Sequence, residues 1–101
     1  MYYTYMLRCE DNSIYTGITV DIERRMEEHY TKNEKCAKYT LTHSAKKLEA
    51  LWQSDDRSLA SKLEYYIKRL TKKQKEALIT DNNIHQLLRD KIEVEKYNRI
   101  V

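Results

Sequence analysis

The sequence predicts an α+β fold in which a small three-stranded antiparallel sheet is flanked by helices. Two short segments of alternating side chains come first, separated by a polar turn at 10–13, and a third such segment follows at 46–54. Between and after these segments, apolar residues recur with a helical period of about 3.6 residues. The predicted order of elements is therefore β-β-α-β-α-α.

The predicted strands cover residues of about 2–9, 13–18 and 46–54, and the first two form a hairpin. The length of the hairpin loop decides which tyrosines share a face. With a two-residue loop at Asp11-Asn12, Tyr15 would lie opposite Arg8 and Tyr5 would point to the other face. A loop of odd length, or a bulge, would bring Tyr5 and Tyr15 to the same face.

The first predicted helix begins at Asp21, a good N-cap, and ends near Tyr30, with an apolar side formed by Ile22, Met26 and Tyr30. A polar loop at 31–36 follows. Because a helix turns by about 100° per residue, Arg25 and His29 lie one turn apart beside this apolar side. Arg24 lies about 160° from Ile22 and is expected to face solvent.

Two further helices follow the third strand, and one more is expected in the appended C-terminal segment. The first of them is capped by Asp55 or Asp56 and carries an apolar stripe of Leu59, Leu63, Ile67 and Leu70. Thr71 is expected to cap the next, which runs to about Ile79, and Asp81 or Asn82 the last, which runs through Leu88. The charged tail at 91–101 is expected to fray or to pack at an edge.

Composition restricts the class of protein. A chain of 101 residues fits one domain, and we expect residues 81–101 to be a helix and charged tail appended to a domain at 1–80. No apolar stretch approaches the ~20 residues of a membrane-spanning helix, and the N-terminus has no signal-peptide pattern. Cys9 and Cys36 lack metal-ligand spacing, so reduced, buried thiols in the cytoplasm are expected.

Positive charge is concentrated in one segment. The net charge is only +3, but residues 57–76 contain seven basic and two acidic side chains. Such a segment can bind phosphates by releasing counterions, although a solvated helix surface would have the same composition.

Four short motifs in order resemble the GIY-YIG endonuclease superfamily, and in particular its small stand-alone bacterial members. They are Tyr3-Thr4-Tyr5, Tyr15-Thr16-Gly17, the segment 21–25 followed by His29, and the segment 63–68. The resemblance covers roughly residues 2–80. It departs from the family pattern in the first motif, where Tyr3 and Thr4 replace glycine and isoleucine, and at Ile18, where the repair-nuclease branch has a lysine.

The resemblance implies a metal-dependent endonuclease that hydrolyses DNA, with a role in repair or recombination. It assigns catalytic roles to Tyr5, Tyr15, Arg25 and His29, and one Mg²⁺ or Mn²⁺ ion to Glu64, with no small-molecule cofactor. The expected partner is nucleic acid, contacted by Lys38, Lys62, Lys68, Lys72 and Lys73.

Each assignment has a structural alternative. Tyrosines on strands are good core fillers, and Glu64 can simply pair with Lys68 at i, i+4. Gly17 would let the backbone bulge or approach a ligand closely. His43 and His85 are expected at the surface without a role. For the whole protein, the alternative is a non-catalytic nucleic-acid or protein-binding module that kept the fold.

Overall fold

The computed structural model describes residues 1–32 and 35–101. Its helices and strands, numbered along the chain, are β1 (Tyr2–Cys9), β2 (Ile14–Thr19), α1 (Ile22–Thr31), α2 (Lys38–Thr42), β3 (Ala45–Ser54), α3 (Arg57–Lys68), α4 (Lys72–Asp81), α5 (Ile84–Leu88) and β4 (Asn98–Arg99), with a short 3₁₀ turn at Val94–Lys96. None of the helices in this part of the chain is long and apolar enough to cross a bilayer.

The central antiparallel sheet has four strands within the described residues, in the order β2-β1-β3-β4, so the prediction of three strands was one short. The additional strand is held by Arg99, which pairs with Trp52 across the sheet. The Arg99 guanidinium lies 5.4 Å from the Trp52 ring and donates to the carbonyl oxygens of Leu78 (3.0 Å) and Ile79 (2.9 Å). A two-residue strand fixed by such distant contacts has no local sequence pattern.

Helices cover both faces of β1, whose residues 4–7 are all buried. One face packs against α3, α4 and α5 through a cluster of Met6, Ile14, Ala50, Trp52, Leu63, Ile67, Leu78, Ile84, Leu88 and Ile92. The other face packs against α1 through Tyr5, Leu7, Met26 and Leu51. Successive strand residues alternate between these two cores.

The β1–β2 hairpin has an odd loop. Cys9 N–H donates to Ser13 O at 2.9 Å, which leaves a three-residue loop at 10–12, and Asn12 has a positive φ of 70°. Asparagine tolerates this conformation, which is typical of three-residue hairpin loops. The odd length puts Tyr5 and Tyr15 on one face, and the two-residue alternative is wrong.

Helix α1 begins as predicted, because the Asp21 side chain accepts from Arg24 N–H at 3.1 Å. Its predicted apolar side was wrong at Tyr30, which is 46% exposed, whereas His29 is fully buried. Steps of four residues drift by about 40° each, so Tyr30 lies about 80° from Ile22 while His29 lies about 20° from it.

The short helix α2 was not predicted; its five residues form less than two turns. The cap of α3 is Asp56, which accepts from Leu59 N–H at 2.9 Å. Thr71 caps α4 as predicted, in a capping box with Gln74. The predicted cap of α5 was wrong. Asn82 is the left-handed C-cap of α4, and Asn83 occupies the N-cap of α5.

The C-terminal segment shares the core of the sheet. Ile84, Leu88 and Ile92 are buried in the same cluster as Leu63, and the Tyr97 hydroxyl donates to Leu59 O at 2.6 Å. Cys9 and Cys36 are buried and free, as predicted.

Candidate active site

The hairpin brings Tyr5 and Tyr15 together. Tyr5 pairs with Gly17 across β1 and β2, and Leu7 pairs with Tyr15, so the two tyrosines lie on the α1 face of the sheet. Their ring centroids are 6.2 Å apart, with the planes tilted by 48°. Tyr5 is fully buried, whereas Tyr15 is only partly buried. The predicted shared face is therefore confirmed, and the two phenols differ in their access to solvent.

Gly17 leaves room for the Tyr5 phenol. A Cβ atom at this position would lie 2.5 Å from Tyr5 Oη, 2.7 Å from Tyr5 Cζ and 3.0 Å from a ring carbon of Tyr15. The sequence predicted that Gly17 would let the backbone bulge or approach a ligand closely. The group that approaches Gly17 here is a side chain of the protein itself. The φ of Gly17 is not in the left-handed region.

Helix α1 supplies the polar partners of Tyr5. The Tyr5 hydroxyl lies 2.8 Å from His29 Nε2, and Arg25 Nε donates to Tyr5 Oη at 3.4 Å. Arg24, by contrast, is exposed. The turn of α1 therefore orients Arg25 and His29 towards the tyrosines and Arg24 away from them, as the helical phase predicts.

Burial keeps the Tyr5–His29 pair neutral. Desolvation raises the pKa of the Tyr5 phenol well above its ordinary value, an effect that the hydrogen bond from Arg25 only partly offsets. Burial, and then the positive charge of Arg25, lower the pKa of His29 to about 4. Near neutral pH, His29 is therefore an uncharged imidazole and Tyr5 an uncharged phenol.

Arg25 is held in place from two further sides. Its Nη1 donates to Glu28 Oε1 at 2.9 Å and to the backbone oxygen of Lys35 at 2.6 Å. Its side chain remains 21% exposed. This arrangement leaves a guanidinium that is fixed in orientation but still accessible to an anion.

Glu64 approaches the tyrosines from α3, which packs on the opposite face of the sheet. Its carboxylate pairs with Lys68 Nζ at 3.3 Å, and that ammonium lies 5.8 Å from the centre of the Tyr15 ring. The charge of Glu64 also contributes to the raised pKa of Tyr5. Lys68 therefore lies next to the Tyr15 ring, and the charge of Glu64 acts on the Tyr5 phenol.

Two aromatic side chains extend the site outwards. Tyr39 stacks on Tyr15, with centroids 5.5 Å apart, and His43 stacks on Tyr39 at 4.1 Å. His43 Nδ1 also lies 2.5 Å from Asp11 Oδ2. His43, expected at the surface, is half-buried and contacts Tyr39 and Asp11, and Tyr39 was not among the predicted site residues because α2 was not predicted. His85 is exposed, as expected.

The predicted basic residues separate into two groups. Lys68 and Lys72 lie close to Lys75. Burial lowers the pKa of Lys75, and the positive charges of Lys72 and Lys68 lower it further. Lys72 Nζ also donates to Asn12 O in the hairpin loop, next to the site. Lys75 was not among the predicted contacts with nucleic acid, because sequence spacing alone does not distinguish it from the neighbouring lysines.

The remaining predicted lysines, Lys38, Lys62 and Lys73, are exposed. Lys62 lies about 160° around α3 from Glu64, so the structure does not bring it to the tyrosines. Its predicted contact with nucleic acid stays a prediction for the outer face of the helix.

Residues 1–77 match the sequence model of the GIY-YIG catalytic domain. The match spans most of the chain, and it includes every residue that converges on the tyrosine pair. The chain therefore belongs to the GIY-YIG family of nuclease-type domains.

Individual relatives have a similar length. The chain is 51% identical over 79 residues to the UPF0213 protein FN1575 of Fusobacterium nucleatum, covering 78% of this chain and 77% of the relative. It is 44% identical over 87 residues to the UPF0213 protein YhbQ of Salmonella typhimurium, covering 86% and 85%. The solution NMR structure of the UPF0213 protein BH0048 from Bacillus halodurans is similar, with a TM-score of 0.51 and 37% identity over 79% of this chain and 84% of that one.

Proposed function

We propose that the protein is a metal-dependent endonuclease that hydrolyses phosphodiester bonds in DNA. The observation that carries the proposal is the convergence of Tyr5, Tyr15, Arg25 and His29 on one face of the sheet, with the negative charge of Glu64 acting on Tyr5. Hydrolysis of a phosphodiester needs a positioned water, a cation at the non-bridging oxygens and a stabilised leaving oxygen. This group of side chains contains a candidate for each task.

The two tyrosines have different roles in this proposal. The buried Tyr5 hydroxyl is tied to His29 and Arg25, so it organises the site and does not accept a proton from water. The partly exposed Tyr15 hydroxyl orients the attacking water and accepts its proton while passing the phenol proton to solvent, as the new P–O bond forms and the bond to the leaving oxygen breaks. His29 acts by holding Tyr5.

Arg25 binds the scissile phosphate. Its guanidinium is charged at any physiological pH, and its contacts with Glu28 and Lys35 fix the plane of the fork. A pre-oriented guanidinium stabilises negative charge as it develops on the non-bridging oxygens, without reorganisation during the reaction.

The chemistry of Glu64 fits a loosely held hard cation. Carboxylate oxygens suit Mg²⁺ or Mn²⁺. The ion pair of Glu64 with the half-exposed Lys68 contributes little to the stability of the fold, so it does not prevent Glu64 from binding a cation. The described residues contain no cluster of three or more His, Cys, Asp or Glu side chains that could hold a metal. Glu64 would hold one such ion, which when bound would supply charge stabilisation at the phosphate and the leaving oxygen.

Glu64→Gln tests the proposal, because it removes the charge and keeps the shape. We expect it to abolish cleavage of labelled single-stranded, duplex and branched DNA in Mg²⁺ or Mn²⁺ while DNA binding persists. The matched control is Glu27→Gln, which removes one exposed charge from the solvent side of α1. If the wild-type protein binds DNA with a steep salt dependence and cleaves no strand, the nuclease proposal fails in favour of a binding module.

A further inference from the structure

Thr40 closes a chain of buried hydrogen bonds that begins at the tyrosine pair. The His29 ring is fully buried, with Nε2 2.8 Å from Tyr5 Oη and Nδ1 2.8 Å from Thr40 Oγ1. The Thr40 hydroxyl, also fully buried, lies 3.0 Å from Ala37 O at the start of α2. Both ring nitrogens of His29 are thus engaged.

The chain determines which nitrogen of His29 carries the proton. The Thr40 hydroxyl donates to Ala37 O, which also accepts from the backbone N–H groups of Thr40 and Leu41, and it presents a lone pair to His29. Nδ1 must then carry the proton and donate to Thr40, and Nε2 accepts from the Tyr5 hydroxyl. Arg25 Nε completes the order by donating to the oxygen of Tyr5.

The opposite tautomer leaves the chain incomplete. With the proton on Nε2, Tyr5 Oη would accept from both His29 and Arg25, and its own proton would lose the imidazole acceptor. Because Tyr5 is fully buried, an unpaired hydroxyl proton there is costly. One tautomer therefore satisfies every donor from Arg25 to Ala37, and the other does not.

We propose that Thr40 is a positioning residue that fixes the Nδ1–H tautomer of His29 and thereby holds Tyr5 as a hydrogen-bond donor turned away from the attacking water. Its effect on cleavage rests on the endonuclease function proposed above. The tautomer is a property of the folded protein and can be measured without any substrate.

The test compares Thr40→Val, which keeps the shape and removes the hydroxyl, with Thr40→Ser, which keeps the hydroxyl. Two-bond ¹H–¹⁵N correlation spectra of ¹⁵N-histidine-labelled protein near neutral pH distinguish protonated from unprotonated ring nitrogens, and His29→Gln assigns the signal. We expect Nδ1–H in the wild-type protein and in Thr40→Ser. In Thr40→Val the tautomer ratio should shift at least tenfold towards Nε2–H, because Nδ1–H loses its acceptor and Nε2–H still has Tyr5 Oη.

Cleavage should follow the tautomer. We expect kcat to fall about tenfold in Thr40→Val and to be restored in Thr40→Ser, with little change in DNA affinity. Protonated Nε2 in the wild-type protein overturns the proposal, even if Thr40→Val does not fold. A Thr40→Val protein that changes tautomer but cleaves normally refutes the positioning role. If the tautomers behave as expected and no variant cleaves DNA, the hydrogen-bond chain stands and the endonuclease function fails.

Discussion

Gly17→Ala tests how closely the hairpin packs around Tyr5. The added Cβ would lie 2.5 Å from Tyr5 Oη, whereas ordinary contacts begin at 3.4 Å, so the phenol must move by about 0.9 Å. Tyr5 is fully buried and hydrogen-bonded to His29 at 2.8 Å, so the ring cannot move without disturbing that contact. We therefore expect the substitution to loosen both the fold and the site.

The magnitude combines three contributions. Overpacking in a well-packed core costs about 1–3 kcal/mol, and a weakened buried hydrogen bond about 1 kcal/mol. Replacing glycine restricts the unfolded chain, which returns about 0.4–1 kcal/mol. The free energy of unfolding should therefore fall by about 1–3 kcal/mol, measured by equilibrium urea denaturation.

A double-mutant cycle with Tyr5→Leu isolates the cause. Leucine removes the ring that the new Cβ would meet, so Gly17→Ala should be neutral or slightly stabilising in that background. An equal loss of stability in both backgrounds would place the effect in the β2 backbone. A neutral Gly17→Ala in the wild-type background would refute the packing argument altogether.

Three further predictions concern charge. The pKa of His29 is about 4 in the folded protein and about 6.5 in the unfolded chain, so only the unfolded state takes up this proton as pH falls between these values. The free energy of unfolding should fall by about 3 kcal/mol more in the wild type than in His29→Gln over that window; parallel pH profiles would contradict this. Arg25→Ala should lower cleavage about 100-fold or more and Arg24→Ala little, whereas equal losses would contradict the orientation of α1. Lys68→Gln should weaken DNA binding and reduce its salt slope by about one, measured by fluorescence anisotropy, and Lys62→Gln should have a smaller effect; a larger effect at Lys62 would place the DNA on the outer face of α3.

The sequence predicted those features of the candidate site that depend on the spacing of residues within one helix or strand. Helical phase separated Arg25 from Arg24, and the structure orients both as expected. Motif order singled out Glu64 as a candidate, but did not predict the approach of its helix to the face of the sheet opposite the tyrosines. That approach depends on how α3 crosses the sheet, and a helical pattern specifies only which side of the helix is apolar.

The sequence by itself determined the family, the first two strands, and the helix starts at Asp21 and Thr71, and it narrowed the start of α3 to Asp55 or Asp56. These features depend on side-chain periodicity and on caps that act within about four residues, so the information is local.

Only the tertiary structure decided the features that join distant segments. They are the short strand held by Arg99, the stacking of Tyr39 and His43, and the hydrogen bonds of His29 with Tyr5 and Thr40. The Tyr5 and His29 partners lie 24 residues apart in sequence. Their contact requires the three-residue hairpin loop, the angular position of His29 on α1 and the packing of α1 on the sheet. The packing of α1 on the sheet depends on contacts between separate elements, which no single segment of the sequence specifies.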